Sequence, residues 1–277
     1  MVKKTTILLI AALTGGIFNA CEDMENTNAS SSAVKAPSEN YEAISYDEDS
    51  SIDENNVKAQ LPDFKKYEDV EKRKQKFFAF MRPIIESENQ RVMAQRNFVK
   101  KSLGAYKLGW EMSEDRLNRL ETLAARYRVK NADFQSKETY KELLMRIDKV
   151  PVSLALIQAA NESAWGTSYF ARKGNNMFGQ WCFTGGCGLV PRNRPEGANH
   201  QVAVYPSVAH SVRAYIHNLN THRAYTYFRN LRYELRQKNE PLDGDYLAPG
   251  LQKYSSKGME YVSIIRSMLR TNDKFFS

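Results

Sequence analysis

The sequence predicts a mainly α-helical (α+β) protein with a small β-lobe and an N-terminal helical extension. Two observations lead to this fold class. Apolar residues recur at spacings of three and four along residues 62–104, 113–127 and 136–147, which is the periodicity of amphipathic helices. Glycines and prolines then interrupt residues 174–197, and residues 200–205 alternate in the manner of a strand. At 277 residues, the chain is long enough for one good-sized core and a smaller helical region.

The first residues predict an export signal over residues 1–20. Lys3 and Lys4 precede a short apolar run at 7–13, and small residues lead to Cys21. The run is too short to span a bilayer, so we expect cleavage rather than a membrane helix. Two interpretations of Cys21 stay open: lipidation, which would anchor the protein in a membrane, and ordinary cleavage. Both predict an exported protein, periplasmic or membrane-anchored facing the periplasm.

Residues 21–60 predict a disordered acidic tether. Within 22–56 there are ten acidic residues and one basic residue, and few large apolar side chains. Such a segment buries too little surface to offset its ordering entropy. Residues 57–277 then carry a net charge of +15. This predicts a polyanionic partner, such as an acidic wall polymer or anionic lipid, unless the basic surface serves solubility alone. Extracellular nucleic acid is a third, weaker choice, and we expect no such partner, since no helix-turn-helix, RRM or zinc pattern is visible.

Several helices have recognisable boundaries. The helical extension is expected over residues 61–108, with Pro83 bending or dividing it, and the main domain over 109–277. Serines are good N-terminal caps, and they precede three of the helical patterns. These serines are Ser113, Ser136 and Ser207, and two further helices are expected over 225–238 and 259–269.

Glu162 is the strongest candidate catalytic residue. It ends an apolar helix that begins at Pro151, and Gly166 then breaks the pattern. A position near the negative end of the helix dipole and an apolar Trp165 three residues later both raise the pKa of a carboxyl group. A raised pKa suits a general acid that works near neutral pH. The alternative is a solvated glutamate at a frayed helix end.

Cys182 and Cys187 are close enough in sequence to form a disulfide in an oxidising compartment. Together with the four histidines they do not reproduce the ligand spacing of a zinc site. We therefore expect no metal and no cofactor.

The helix segment PVSLALIQAANESAWGTS at 151–168 resembles the signature of the bacterial glucosaminidases of glycoside hydrolase family 73. Residues 174–179 resemble the N-x-[FLM]-F-G segment of that family, and residues 205–215 resemble its Y-x-S-x-x-x-S-x-x-x-Y stretch. Residues 181–191 resemble the Bax-type group of these proteins. Tyr254 to Tyr261 stands where the family has its tyrosine motif, although the acidic residue of that motif is missing here.

The resemblance, which covers roughly residues 110–270, implies a lysozyme-like fold and hydrolysis of the β-1,4 bond between N-acetylglucosamine and N-acetylmuramic acid in peptidoglycan. Glu162 would protonate the leaving oxygen. The second group would be Glu196, unless the N-acetyl group of the substrate assists, and Glu196 is otherwise a solvated turn residue. The further implied site residues are Tyr254 and Tyr261 as catalytic tyrosines, and Trp165, Asn176, Phe178, Trp181 and Tyr205 as substrate-binding residues. Two alternatives stay open: Tyr261 as a residue of the helix core, and Phe178 as a residue under the cleft rather than in it.

Two other classes stay open from the sequence. A lytic transglycosylase would also use one glutamate but would leave anhydro-muramic ends. A non-catalytic wall-binding module would keep the aromatic residues and the basic surface, but it would not need an apolar setting for Glu162.

Overall fold

The computed structural model describes residues 60–276 except Asn193, Pro195 and Glu196. The predicted signal peptide, Cys21, Glu196 and all but the last residue of the predicted tether lie outside the described residues. The described part is mainly helical with one small three-stranded antiparallel sheet, which confirms the predicted mainly α-helical, lysozyme-like class.

The described helices and strands follow one another along the chain with short connections. Short 3-10 turns occupy Phe64–Lys66, Arg223–Tyr225, Ala248–Leu251 and Asp273–Phe275. The α-helices and strands are α1 (Val70–Lys107), α2 (Glu114–Arg126), α3 (Lys137–Arg146), α4 (Val152–Glu162), α5 (Tyr169–Gly174), β1 (Trp181–Cys182), β2 (Gly188–Leu189), β3 (Gln201–Ala203), α6 (Val208–Thr221), α7 (Thr226–Gln237), α8 (Gly244–Leu247) and α9 (Met259–Thr271).

The three predicted serine caps are confirmed. The hydroxyl of Ser113 accepts the N–H of Arg116, and Ser136 and Ser207 cap α3 and α6 in the same way. Of the bend or division of the first helix predicted at Pro83, the division is wrong, because α1 runs through this proline without a break, and the bend stays a prediction. Proline removes one backbone hydrogen bond, but its neighbours Met81, Ile84 and Ile85 are buried and hold the helix against the core.

The β-lobe is smaller than the sequence suggested. Its three strands have the order β1-β3-β2 and pair antiparallel, with Trp181 opposite Val202 and Gly188 opposite Ala203. Only three residues of the predicted strand at 200–205 pair as β3. The predicted disulfide is confirmed: Cys182 in β1 is bonded to Cys187 just before β2, so it closes the loop between these strands.

The predicted helical extension shares its core with α4. Phe64, Phe77 and Phe78 are buried in the same cluster as the apolar residues of α4. Gly166, just after α4, has a φ of +75°, and a Cβ placed there would lie 2.6 Å from Cδ2 of Phe64. A glycine is therefore required at this point both by the backbone and by the approach of the extension.

The second half of α1 forms another apolar cluster with α2 and α3, which includes Val99, Leu120 and Leu143. Thus α1 bridges two packed regions. Within residues 60–276, apart from the three undescribed positions, no helix combines the length and the apolar character needed to cross a membrane.

Candidate active site

Glu162 is the last residue of α4, as the sequence predicted. The residues of this helix from Leu154 to Ala160 are buried, whereas Glu162 is partly buried. The chain then reverses through a tight turn in which Ala164, Trp165 and Gly166 all have positive φ. The hydroxyl of Ser163 accepts the N–H of Gly166 at 2.8 Å and holds this turn. The helix end therefore presents one carboxyl group at the edge of the core.

The two oxygens of the Glu162 carboxyl group have different surroundings. Oε1 accepts the hydroxyl of Tyr261 at 2.8 Å and the side-chain amide of Asn161 at 3.1 Å. Among the described residues, no group donates a hydrogen bond to Oε2. A Cβ at Gly179, which has a φ of +64°, would lie 3.3 Å from Oε2. The absence of a side chain at Gly179 therefore leaves this oxygen uncovered on that side.

The pKa of Glu162 is raised above its ordinary value. Burial raises it, and the hydrogen bonds from Tyr261 and Asn161 oppose this effect without cancelling it. Both donors are neutral. Burial in turn raises the pKa values of Tyr215, Tyr254 and Tyr261 well above the ordinary value for tyrosine, so these hydroxyls keep their protons. The arrangement favours a protonated carboxyl group.

A chain of buried polar groups leads to Glu162. The hydroxyl of Tyr215 in α6 donates to Oε1 of Gln158 at 2.6 Å. The amide of Gln158, one turn before Glu162 in α4, donates to the hydroxyl of Tyr261 in α9 at 2.9 Å. Gln158 and Tyr215 are fully buried. The chain therefore joins three helices behind the carboxyl group.

The rings of the predicted catalytic tyrosines lie together. Tyr254 stacks on Tyr261 with ring centroids 5.5 Å apart and an interplanar angle of 8°. Its hydroxyl donates to the carbonyl of Phe178 at 2.8 Å. Phe178 in turn stacks on Tyr215 at 3.9 Å. The structure thus brings Glu162, Tyr254 and Tyr261 together, with Phe178 buried beneath them.

Asn176 and Tyr205 support the loop that carries Phe178 and Gly179. The side-chain amide of Asn176 donates to the carbonyls of Gln180 and Ala203, and its Oδ1 accepts the N–H groups of Phe178 and Gln180. The hydroxyl of Tyr205 donates to Oε1 of Gln180 at 2.9 Å. Both residues are buried and bonded within the protein. Their predicted contact with substrate stays a prediction.

The two tryptophans predicted to bind substrate lie in different settings. Trp165 packs edge-on against Phe77 and Phe78, with centroids 5.7 and 5.3 Å away, and Nζ of Lys74 lies 5.4 Å from its ring. It therefore fixes α1 to the turn after α4. Trp181 in β1 exposes 45% of its surface and contacts His200. Contact of either ring with a sugar stays a prediction.

Three residues at this site received no role from the sequence: Gln158, Tyr215 and Gly179. A polar residue inside the apolar run of α4 is a usable signal for Gln158, because buried amides need partners. Tyr215 and Gly179 belong to the motifs noted above, but spacing does not reveal which group each one faces. Within the described part of the chain, no cluster of three or more His, Cys, Asp or Glu side chains is suited to a metal ion.

Comparison with known proteins identifies the family of the chain. Residues 137–274 match the family model described as Mannosyl-glycoprotein endo-beta-N-acetylglucosaminidase. A longer region of 217 residues is 36% identical to Protein bax of Escherichia coli (strain K12), covering 78% of this chain and 76% of that protein. No solved structure matches significantly. The motifs, the fold and these similarities together show that the chain belongs to the Bax-type glucosaminidases, a family of glycoside hydrolase-like enzymes.

Proposed function

We propose that this protein is an endo-β-N-acetylglucosaminidase of peptidoglycan. It would hydrolyse the β-1,4 bond between N-acetylglucosamine and N-acetylmuramic acid, with Glu162 as the general acid. The observation that carries the proposal is the setting of Glu162. Burial raises the pKa of its carboxyl group, and the groups that donate hydrogen bonds to it are neutral. A general acid of this kind contributes roughly a hundredfold to ten-thousandfold in rate.

The geometry favours Oε2 as the oxygen that delivers the proton. Oε1 accepts two hydrogen bonds, so a proton on that oxygen would displace one of them. Oε2 lies on the side where Gly179 has no side chain. We therefore propose that the glycosidic oxygen approaches from the side of Gly179. Protonation there would let the bond between this oxygen and the anomeric carbon break.

The second reacting group has two possible sources. Glu196 is the predicted carboxylate for activating water, and it lies outside the described residues. The alternative is the N-acetyl group of the substrate. A Glu196→Gln variant separates these sources, because it should lose on the order of a hundredfold in rate if Glu196 activates water. An unchanged rate in this variant assigns the step to the substrate.

The proposal includes peptidoglycan strands as the partner and export as the route to them. Trp181 offers an exposed flat ring, and sugar rings commonly pack on such surfaces. Tyr254 and Tyr261 would orient the bound sugar near Glu162. A lipid anchor at Cys21 would hold the enzyme at a membrane that faces the periplasm.

Mass spectrometry of digested peptidoglycan tests the function directly. We expect fragments with reducing N-acetylglucosamine ends from the full-length protein and none from Glu162→Gln. Reducing muramic acid ends would contradict the proposed bond. Anhydro-muramic ends would identify a lytic transglycosylase. Binding to peptidoglycan without cleavage would identify a wall-binding module.

A further inference from the structure

We infer that Gln158 and Tyr215 are positioning residues that fix the direction in which Tyr261 donates its hydrogen bond to Glu162. This inference rests on the proposed role of Glu162 as the acid. Neither residue reaches the substrate in this scheme, because both are fully buried behind the carboxyl group. Their effect passes through Tyr261.

The direction follows from the number of protons on each group. An amide oxygen has no proton, so in the bond between Tyr215 and Oε1 of Gln158 the hydroxyl must be the donor. This turns the amide N–H of Gln158 toward the hydroxyl of Tyr261, which accepts it. The single proton of Tyr261 is then donated to Oε1 of Glu162.

The opposite orientation of the Gln158 amide would exchange donors and acceptors along this series of hydrogen bonds. Its oxygen would then face Tyr261 and accept that hydroxyl proton, so Tyr261 would no longer donate to Glu162. Oε1 of Glu162 would then carry the acid proton itself, in place of the hydrogen bond lost from Tyr261. The acid proton would thus lie on the oxygen that is turned into the protein. Only the observed direction leaves the proton on Oε2.

The rings at both ends of the chain are held in place. Tyr215 stacks on Phe178 with centroids 3.9 Å apart, and Tyr261 stacks on Tyr254. Helix α6 therefore sets the orientation of an amide in α4, although Tyr215 and Gln158 are 57 positions apart in the sequence.

Few other groups act on the charge of Glu162. The titratable groups that face it are Tyr215 from α6, Tyr254 from the loop before α9, and Tyr261 from α9. Asn161 on its own helix is neutral. Glu162 forms no ion pair with any described residue. A change in its titration therefore reports mainly on the donors at Oε1.

The test compares two buried Tyr→Phe variants of the full-length protein. Tyr215→Phe removes the donor to Gln158 and keeps the stacked ring. Tyr127→Phe is the matched control, since Tyr127 is also buried and donates to Oε1 of Gln95 at the same distance of 2.6 Å, in the other apolar cluster. The pKa of Glu162 is measured from the carboxyl carbon shift in 13C-glutamate protein, with Glu162→Gln to assign the signal.

We expect Tyr215→Phe to raise the pKa of Glu162 by about 0.5 to 1 pH unit, because a weaker hydrogen bond favours the ionised form less. Tyr127→Phe should leave it unchanged. In hydrolysis assays, Tyr215→Phe should lower kcat severalfold with KM unchanged and move the alkaline limb of the pH profile upward.

Equal Glu162 titration in wild type and Tyr215→Phe would overturn the inference, as would equal pH profiles. The titration needs no substrate, so it separates this inference from the proposed function. If Glu162→Gln retains full turnover, the proposed function fails whatever the titration shows.

Discussion

Two acids with opposite properties lie near the two ends of helix α4, one shortly before the helix and the other as its last residue. Asp148, three residues before Pro151, is 1% exposed and lies among arginines. Arg236 donates to both of its carboxylate oxygens at 2.9 Å, and Arg96 lies 3.4 Å away. Glu162 at the other end is hydrogen-bonded by a hydroxyl and an amide. Both carboxyl groups are withdrawn from water, but only one has charged partners.

The partners decide the protonation state. Burial raises the pKa of Asp148, yet the hydrogen bonds from Arg236 and the charges of Arg232 and Arg96 outweigh it, so the pKa is lowered. At Glu162 burial prevails over its neutral donors, and the pKa is raised. Burial alone therefore does not identify a general acid; the charge of the donors does.

Asp148 also compensates the charge of a buried arginine, Arg232. Arg232 is fully buried and donates to the carbonyls of Met145, Arg146, Asp148 and Lys149. Burial lowers its pKa to about 10, so it remains charged near neutral pH. The aspartate and this arginine together fix the loop that leads into α4. This end of the helix is therefore anchored by charged groups, whereas the proposed general acid lies at the other end.

The largest expected effect is on stability, from Asp148→Asn. Removing this charge leaves Arg232 and Arg96 buried without the negative charge that compensates theirs, which should cost about 3–5 kcal/mol of unfolding free energy. Urea unfolding measures this cost. The control is Asp245→Asn, whose partly exposed carboxylate pairs with Arg266 and Arg270 and should cost about 1 kcal/mol or less. Equal costs for the two variants would contradict the role given to Asp148.

The next effect is on rate, from Glu162→Gln. Loss of the proton donor should lower peptidoglycan hydrolysis by on the order of a hundredfold or more, with the fold retained. Glu260→Gln, which changes an exposed glutamate in α9, should leave the rate unchanged. Release of reducing ends measures both. Near-normal turnover in Glu162→Gln would contradict the proposed role of Glu162 as the general acid, and with it the proposed difference between the two acids near the ends of α4.

A smaller effect is expected from Gly179→Ala, which places a methyl group beside Oε2 of Glu162. The rate should fall roughly tenfold or more, because a displaced reacting group loses alignment. Gly186→Ala is the control, since its φ of +79° gives similar backbone strain with no atom within 4 Å. If both variants lose activity equally, backbone strain rather than access to Oε2 explains the loss.

The smallest effect is the pH dependence of stability at Glu162. The folded state holds this proton more tightly than the unfolded chain, where the ordinary pKa is 4.5. The associated stability is complete below that value and declines as pH rises through the folded pKa. Glu162→Gln should therefore match wild type in Tm near pH 4 and exceed it at pH 7, by about 2–4 °C for each kcal/mol relieved. A difference that is constant with pH would be inconsistent with the raised pKa.

The sequence predicted several local features of the fold and of the candidate site. Glu162 ends an apolar helix, Ser113, Ser136 and Ser207 cap theirs, and Cys182 pairs with Cys187, because each depends on residues that are near in sequence. The cause of the raised pKa was only partly anticipated. Burial accounts for it, because the two neutral donors oppose the rise without cancelling it, whereas the ring of Trp165 packs on Phe77 and Phe78.

Long-range partners were beyond the sequence. The bond between Gln158 and Tyr215 and the arginines around Asp148 join helices far apart in the chain, and periodicity does not reveal which polar groups meet. The continuity of α1 at Pro83 also depends on tertiary packing, because buried neighbours hold the helix together although proline tends to interrupt one. Tertiary packing decided each of these features.

The contact between Gly166 and Phe64 links the region matched by the family model to a segment that precedes it. The matched family region begins at residue 137, well after Phe64. Because a Cβ at position 166 would collide with the Phe64 ring, the two positions constrain each other's evolution. In descendants of this protein, a larger residue at 166 should require both the loss of the ring at position 64 and a change of the positive φ at 166. The residues of the helical extension at position 64 and of the turn after Glu162 should therefore change together in evolution.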